Sequence, residues 1–393
     1  MTLFGYPVAV FSFLLALGLY AGFGSPTPDH IGLAEGLIAI TLLLSIRIKH
    51  GKAHDYVMAT LLYGLSVPTV MAVINGHALS DMVRDIVPFL FLFVPFFYGW
   101  IAREYAQDIV ICIVVIGIAF SIRTLWVYQD IVLTPSLWGQ GAPRDLLYLA
   151  NSPEVLFSAL FCIGKAIYYG IIQCQTRTAL GFLLVVPIPL IAMALMMQRA
   201  GMGAVVAELL VWGFLLLYYC PKKTGGLFVL LVTIGMAAWP VLGDVIRAMM
   251  QKNAVVGLNS RGQEWQAVCD ILTHDMPTFL FGEGWGGRLE NPAVGGLSVN
   301  YTHSFLSSLL LKTGFLGTFI CVMGGIVPLF YAIKTRISRF TMEDMVLFLA
   351  VIPPFLISAT LYASYKSLGF GLILLIFFIF SLRNLEKKQQ AVS

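Results

Sequence analysis

Apolar runs of roughly membrane-span length recur along the chain from Phe4 to Leu382, separated by short polar breaks. A transmembrane helix needs about 20 mostly apolar residues. On that measure the pattern predicts helices near 4–23, 31–48, 56–75, 86–102, 108–128, 153–173, 179–198, 200–219, 225–244, 304–333, 343–361 and 365–382. That makes about twelve spans. The run at 304–333 has room for a span plus a short extra helix, broken near Gly314 and Gly317. The first run lacks a basic leading region and many spans follow it, so it reads as a first transmembrane helix rather than a signal peptide.

Composition turns this pattern into a fold class. Of 393 residues, 59% are hydrophobic and 11% charged, with a mean hydropathy of +0.87. Ordinary soluble domains do not show that balance. The expectation is an all-α polytopic membrane protein, with 1–393 forming a single integral membrane domain. No internal repeat or low-complexity tract interrupts it. Four cysteines, Cys112, Cys162, Cys220 and Cys321, lie in or at the ends of apolar runs. Cys174 lies in a short break and Cys269 in a long polar segment. Such a distribution argues against a disulfide framework, and no metal-binding CxxC spacing occurs.

Charge adds orientation. With a cytoplasmic N-terminus, one set of loops carries thirteen basic residues, Arg47, Lys49, Lys52, Arg103, Arg177, Lys222, Lys223, Lys334, Arg336, Arg339, Arg383, Lys387 and Lys388. The other set carries eight, Arg84, Arg144, Arg199, Arg247, Lys252, Arg261, Arg288 and Lys366, four of them in one long loop that counts little. Both termini are therefore expected in the cytoplasm. The longer polar segments, about 129–152 and about 245–303, then face the opposite side, where a loop of ~60 residues among short connections points to function.

The large loop carries the candidate chemistry. Asn259 or Ser260 can cap a short helix in which Trp265, Val268, Ile271 and Leu272 recur at helical spacing, suited to the membrane surface. Arg261 falls in its first turn, where a guanidinium and free backbone N–H groups favour an anion such as a diphosphate. The plainer reading pairs Arg261 with Glu264 or with lipid phosphate. Gly282, Gly284, Trp285, Gly286 and Gly287 suit a tight turn presenting an indole to a sugar, although tryptophan also anchors in the interface. His303 closes the loop and opens the next span, a place for a general base or for a capping histidine.

Outside the loop, Arg199 falls at a tight outward turn beside Ala200, Gly201 and Gly203. A bound phosphate or snorkelling to headgroups would offset its burial there. Arg123, Lys165, Glu208 and Lys312 lie inside predicted spans. Arg123, near the outer end of its helix, is a further contact for the anionic ligand, and Lys165 and Glu208 are candidates to pair with each other. No acidic pair has the pattern of a divalent metal site.

In order and spacing these residues resemble one family. Arg199 at an outward turn, then Ser260-Arg261 with Trp265, Pro277 with Gly282-Glu283-Gly284, and His303 opening a helix ahead of Gly314 and Gly317 look like the bacterial O-antigen ligase and O-antigen polymerase superfamily. The resemblance covers about residues 180 to 330. It implies a membrane-embedded C-type glycosyltransferase fold and a metal-independent, cofactor-free, inverting transfer on the periplasmic face of the bacterial inner membrane. The donor would be a glycan on undecaprenyl diphosphate, and the acceptor either lipid A–core or a second lipid-linked glycan, in lipopolysaccharide biosynthesis.

By that resemblance Arg199 and Arg261 match the family's diphosphate-gripping arginines, and His303 its proposed catalytic histidine. Arg288, Trp285, Trp265 and Arg123 would line the substrate. His303 is followed by Ser304, where many ligases carry Asn, and the residues do not separate ligase from polymerase. Nucleic acid is not an expected partner. A transporter or flippase for a lipid-linked glycan is the alternative, and it would call for two related halves and midplane polar residues.

Overall fold

A computed structural model describes residues 2–3, 6–24, 27, 31–44, 52–129, 148–221, 225, 243, 260–334 and 341–390. The span predicted at 225–244, most of the loop at 129–152 and residues 245–259 of the large loop fall almost entirely outside them. Two short strands, β1 (Thr2–Leu3) and β2 (Tyr6–Pro7), pair antiparallel at the start, and most of the described residues after them are helical.

In chain order the helices are α1 (Val8–Phe23), α2 (Leu33–Leu44), α3 (Lys52–Ile74), α4 (Leu79–Phe91), α5 (Val94–Glu104), α6 (Ala106–Val127), α7 (Pro153–Ile167), α8 (Thr176–Val185), α9 (Pro187–Leu195) and α10 (Arg199–Tyr219). Beyond the undescribed stretch come α11 (Arg261–Leu272), α12 (Met276–Phe281), the hairpin β3 (Leu289–Asn291) and β4 (Leu297–Val299), then α13 (Phe305–Lys334), α14 (Met342–Thr360) and α15 (Leu368–Gln390).

Among the described residues eight helical stretches are long and apolar enough to cross a membrane, and three shorter apolar helices accompany them. Large apolar side chains stand exposed along these spans, including Leu62, Val70, Leu183, Leu184, Leu210 and Phe214. Water would not tolerate such a surface, whereas lipid hydrocarbon satisfies it. The protein is a multi-pass, all-α membrane protein.

The chain forms two compact units. One comprises Met1–Ile113, Asn259–Phe340 and Phe355–Ser393, the other Val114–Leu258 and Thr341–Pro354. In the second, α7 is the central helix, with α8, α9 and α10 against it. Its span continues through a π-helical turn, Tyr168–Ile172. Lys165 pairs with Glu343 at 2.9 Å, and Glu208 accepts from the Trp212 indole at 3.1 Å. The expected pairing of Lys165 with Glu208 is thus replaced by two separate partnerships, because each group has an answering side chain closer to hand.

In the first unit, two interruptions in the spans shape the fold. Pro68 lies inside α3 and supplies no backbone N–H to the carbonyl of Gly64, four residues earlier. Gly314, at φ 63° and ψ −170°, breaks α13, close to where the sequence places a break. Carbonyls freed at such points must find donors in a membrane bundle. The Gly-rich stretch Gly282–Gly287 provides them. Trp285 donates its indole N–H to Gly64 O at 2.7 Å and its backbone N–H to Pro68 O at 3.1 Å. Glu283 N and Gly284 N donate to Leu311 O and Lys312 O at 2.8 and 3.1 Å.

The approach is backbone to backbone. A Cβ on Gly282 would stand 2.5 Å from Gly314 N, and Gly282 itself has φ +75°, a conformation that favours glycine. The segment is therefore a re-entrant loop, irregular backbone held at span depth only because protein surrounds it.

Candidate functional site

Helix α11 carries the first half of the site. Ser260 precedes it in the left-handed region at φ 50° and makes no side-chain cap, so the expected serine cap is absent. Its carbonyl still accepts from Glu264 N at 2.9 Å and closes the first turn. The apolar side chains Val268 and Leu272 are buried against Leu289 of β3 and Leu311 of α13. Burial of that kind contributes about 1.5–3 kcal/mol per side chain. The predicted amphipathic face thus packs on protein rather than lying on lipid, and Trp265 points away from it, 42% exposed. The reason is tertiary: the hairpin and α13 pack beneath the helix.

One turn into α11, Glu264 meets His303. The carboxylate lies 3.1 Å from His303 Nδ1 and accepts from the His303 backbone N–H at 3.1 and 3.2 Å. Asn291 at the end of β3 also donates its amide to Glu264 Oε1, while its own Oδ1 caps Ala293 N at 2.9 Å. Burial by itself would raise the Glu264 carboxyl. The hydrogen bonds and charge of His303, with the Asn291 amide, outweigh that and hold it below the ordinary value of 4.5. An ionised carboxylate only accepts, so Nδ1 carries the hydrogen of this contact, and the neutral form of the ring has its lone pair at Nε2. The His303 side chain is 18% exposed.

The backbone around His303 is fixed from the other side. Tyr365 donates its hydroxyl to Thr302 O at 3.0 Å and accepts from Thr302 N at 3.3 Å. Burial pushes its phenol up, which keeps it a neutral donor. Arg261, the first residue of α11, donates to Leu361 O at 2.6 Å, so the guanidinium and Glu264 ride on one rigid turn. The pairing of Arg261 with Glu264 that the sequence allows gives way to His303 as the partner of Glu264.

The remaining candidates divide. Arg288 grips Asp81 with two nitrogens, Nε at 2.9 Å and an Nη at 2.7 Å, and its side chain is 49% exposed. Trp285 is buried against Phe89 with ring centroids 5.1 Å apart. The expected indole platform, presented on a tight turn, is instead a wedge whose N–H answers the carbonyl freed by Pro68. Arg199 and Arg123 belong to the other unit. Arg199 opens α10 directly after the tight turn at Met197, φ 53°, and Arg123 lies over the Phe120 ring at 5.5 Å. Arg261 and His303 are brought together through Glu264, a residue the sequence offered only as a bland partner for Arg261. An acid one turn after a first-turn arginine was the available signal.

A second polar cluster went unread in the sequence except for Lys312. Asp85 of α4 pairs with Lys312 of α13 at 2.8 Å and with Lys366 at 2.7 Å, and all three side chains are at most 4% exposed. Gly286 N donates to Asp85 Oδ2 at 2.7 Å, and Lys312 also donates to Gly287 O. One turn earlier Asp81 is shared by Arg84, at 2.7 Å, and Arg288. Among the described residues no set of three or more His, Cys, Asp or Glu side chains is placed to hold a metal ion.

No protein-family model and no curated protein matches the chain.

Proposed function

We propose that this protein is a periplasmic-face glycosyltransferase of the O-antigen ligase or O-antigen polymerase type, moving a glycan from undecaprenyl diphosphate to an acceptor hydroxyl in the bacterial inner membrane. The observation that carries the reading is the Glu264–His303 dyad, an imidazole held at Nδ1 by a buried carboxylate while part of its side chain stays exposed. In the proposed step Nε2 of His303 takes the proton of the acceptor hydroxyl as its oxygen attacks the anomeric carbon from the face opposite the leaving group. The bond from that carbon to the diphosphate breaks with inversion, and undecaprenyl diphosphate departs as an anion. Arg261, one turn from the dyad, is assigned to stabilise that charge, and Arg199 keeps the diphosphate-binding role that the resemblance implies. Glu264 is a positioning residue that sets the tautomer and holds the imidazolium formed during transfer.

The test is genetic and electrophoretic. His303→Ala, Arg261→Ala and Arg199→Ala are each expected to abolish surface glycan ladders while the membrane level of the protein stays unchanged. Normal ladders from all three would end the catalytic reading. In a deletion strain, lipopolysaccharide capped by a single repeat identifies a lost polymerase. Rough core with accumulated carrier-linked polymer identifies a lost ligase.

A further inference from the structure

The buried cluster beside the dyad has one positive charge too many. Lys312 and Lys366 share the single carboxylate of Asp85, each within 2.8 Å, and all three side chains are shut away from solvent. The carbonyls of Gly287 and Asn300 satisfy the ammonium hydrogens, Lys366 reaching Asn300 O at 3.1 Å. Carbonyls do not neutralise charge, and an unbalanced ion at span depth is costly.

A cavity opens on this cluster. Asp85, Lys312 and Lys366 line it on one side and Phe89, Trp285 and Phe305 on another, and its volume of about 30 Å³ holds one or two waters or one small anionic group. Two buried polar side chains next to Lys366 have no hydrogen-bond partner among the described residues. One is the Asn300 amide, unpartnered at both Nδ2 and Oδ1, and the other is the Ser364 hydroxyl, two residues before Lys366 on the same turn.

We propose that this cavity binds a single carboxylate, which neutralises the second lysine, and that the carboxylate belongs to an acidic sugar whose ring lies outside the cavity, against the partly exposed Phe305. The carboxylate site stands on the geometry of the cluster. Its assignment to a sugar rests on the proposed glycosyl transfer, since Phe305 in the cavity wall is two residues from His303. A neutral lysine would complete the triad by itself and leave the protein indifferent to anions.

The experiment is thermal unfolding of the purified full-length protein in detergent, at constant ionic strength, with glucuronate, acetate or glucose. Glucuronate is expected to raise Tm by about 3 °C at ten times its half-effect concentration, and glucose not at all. A larger effect of glucuronate than of acetate assigns the site to a sugar acid. Equal effects keep the carboxylate site and assign it to a free small acid. Lys366→Met, which leaves the matched pair Asp85–Lys312, is expected to fold and lose the response. Lys312→Met, which leaves the matched pair Asp85–Lys366, is expected to abolish the response as well, and it decides the matter should Lys366→Met fail to fold. No shift with either acid, a shift with glucose, or an undiminished shift in the variants overturns the proposal. Because the readout is binding, its failure leaves the assignments of His303 and Arg261 untouched.

Discussion

The two polar clusters of the first unit are built from similar groups and put to different use. Glu264 and His303 meet where loop becomes span, with a side-chain exposure of 18% at the imidazole. Asp85, Lys312 and Lys366 meet between helices, with none of them above 4%. The imidazole of the dyad is held at Nδ1 and keeps part of its surface exposed, an arrangement suited to proton transfer. In the triad the carboxylate is saturated by two ammonium groups and a backbone N–H, an arrangement suited to pinning the re-entrant loop and to accepting a further anion. Exposure and spare hydrogen-bonding capacity separate the two, not residue type.

The largest effect that would break this comparison is expected from Asp85→Asn. It leaves two buried ammonium groups facing each other without a carboxylate, and removing one partner of a buried ion set costs about 3–5 kcal/mol. Folded protein recovered from membranes, and its Tm, should fall sharply. A variant as stable as the parent would mean that the triad holds nothing in place.

Glu264→Gln should act on chemistry more than on stability. It retains a hydrogen-bonding group for the His303 backbone but no longer stabilises an imidazolium, so glycan transfer should drop by about 10²-fold or more, with a smaller but measurable loss of Tm at neutral pH. Acidification sharpens the point. Because the folded carboxyl is held below 4.5, the stability it contributes is fully present above that value and is lost as pH falls through the lowered one. Parent and Glu264→Gln unfolding curves should therefore converge only on acidification below about 4.5, and convergence at neutral pH would remove the dyad's ionic character.

Smallest of all, Trp265→Ala changes a side chain on the exposed side of α11 and should alter Tm by no more than about 0.5 kcal/mol equivalent. Should glycan transfer nonetheless fall severalfold, Trp265 would touch substrate as its position in the motif implies.

Much of the scaffold was legible in order and spacing. Asp55–Ile74, Ala106–Val127, Pro153–Ile172, Arg199–Tyr219 and Met342–Thr360 fall close to the apolar runs that predict them, since a helix in lipid must satisfy its own backbone and needs about 20 apolar residues to cross. The break near Gly314 was legible for the same reason, glycine being the residue that tolerates φ 63° within a span. Arg261 and His303 were legible because a first-turn arginine and a histidine at a loop end are unusual in so apolar a chain.

Hydrophobic periodicity is a local property, and it carried the spans, the short helix at Arg261–Leu272 and the candidates on its flanks. Long-range hydrogen bonds and ion pairs are not local. Only the tertiary structure decided that Trp285 answers the carbonyl freed by Pro68, that of Gly64, 221 residues earlier in the chain, that Glu264 belongs to His303 rather than Arg261, and that Asp85, Lys312 and Lys366 form one group. Each depends on which chain segments the bundle brings within 3 Å or so, and no spacing along a single helix encodes that.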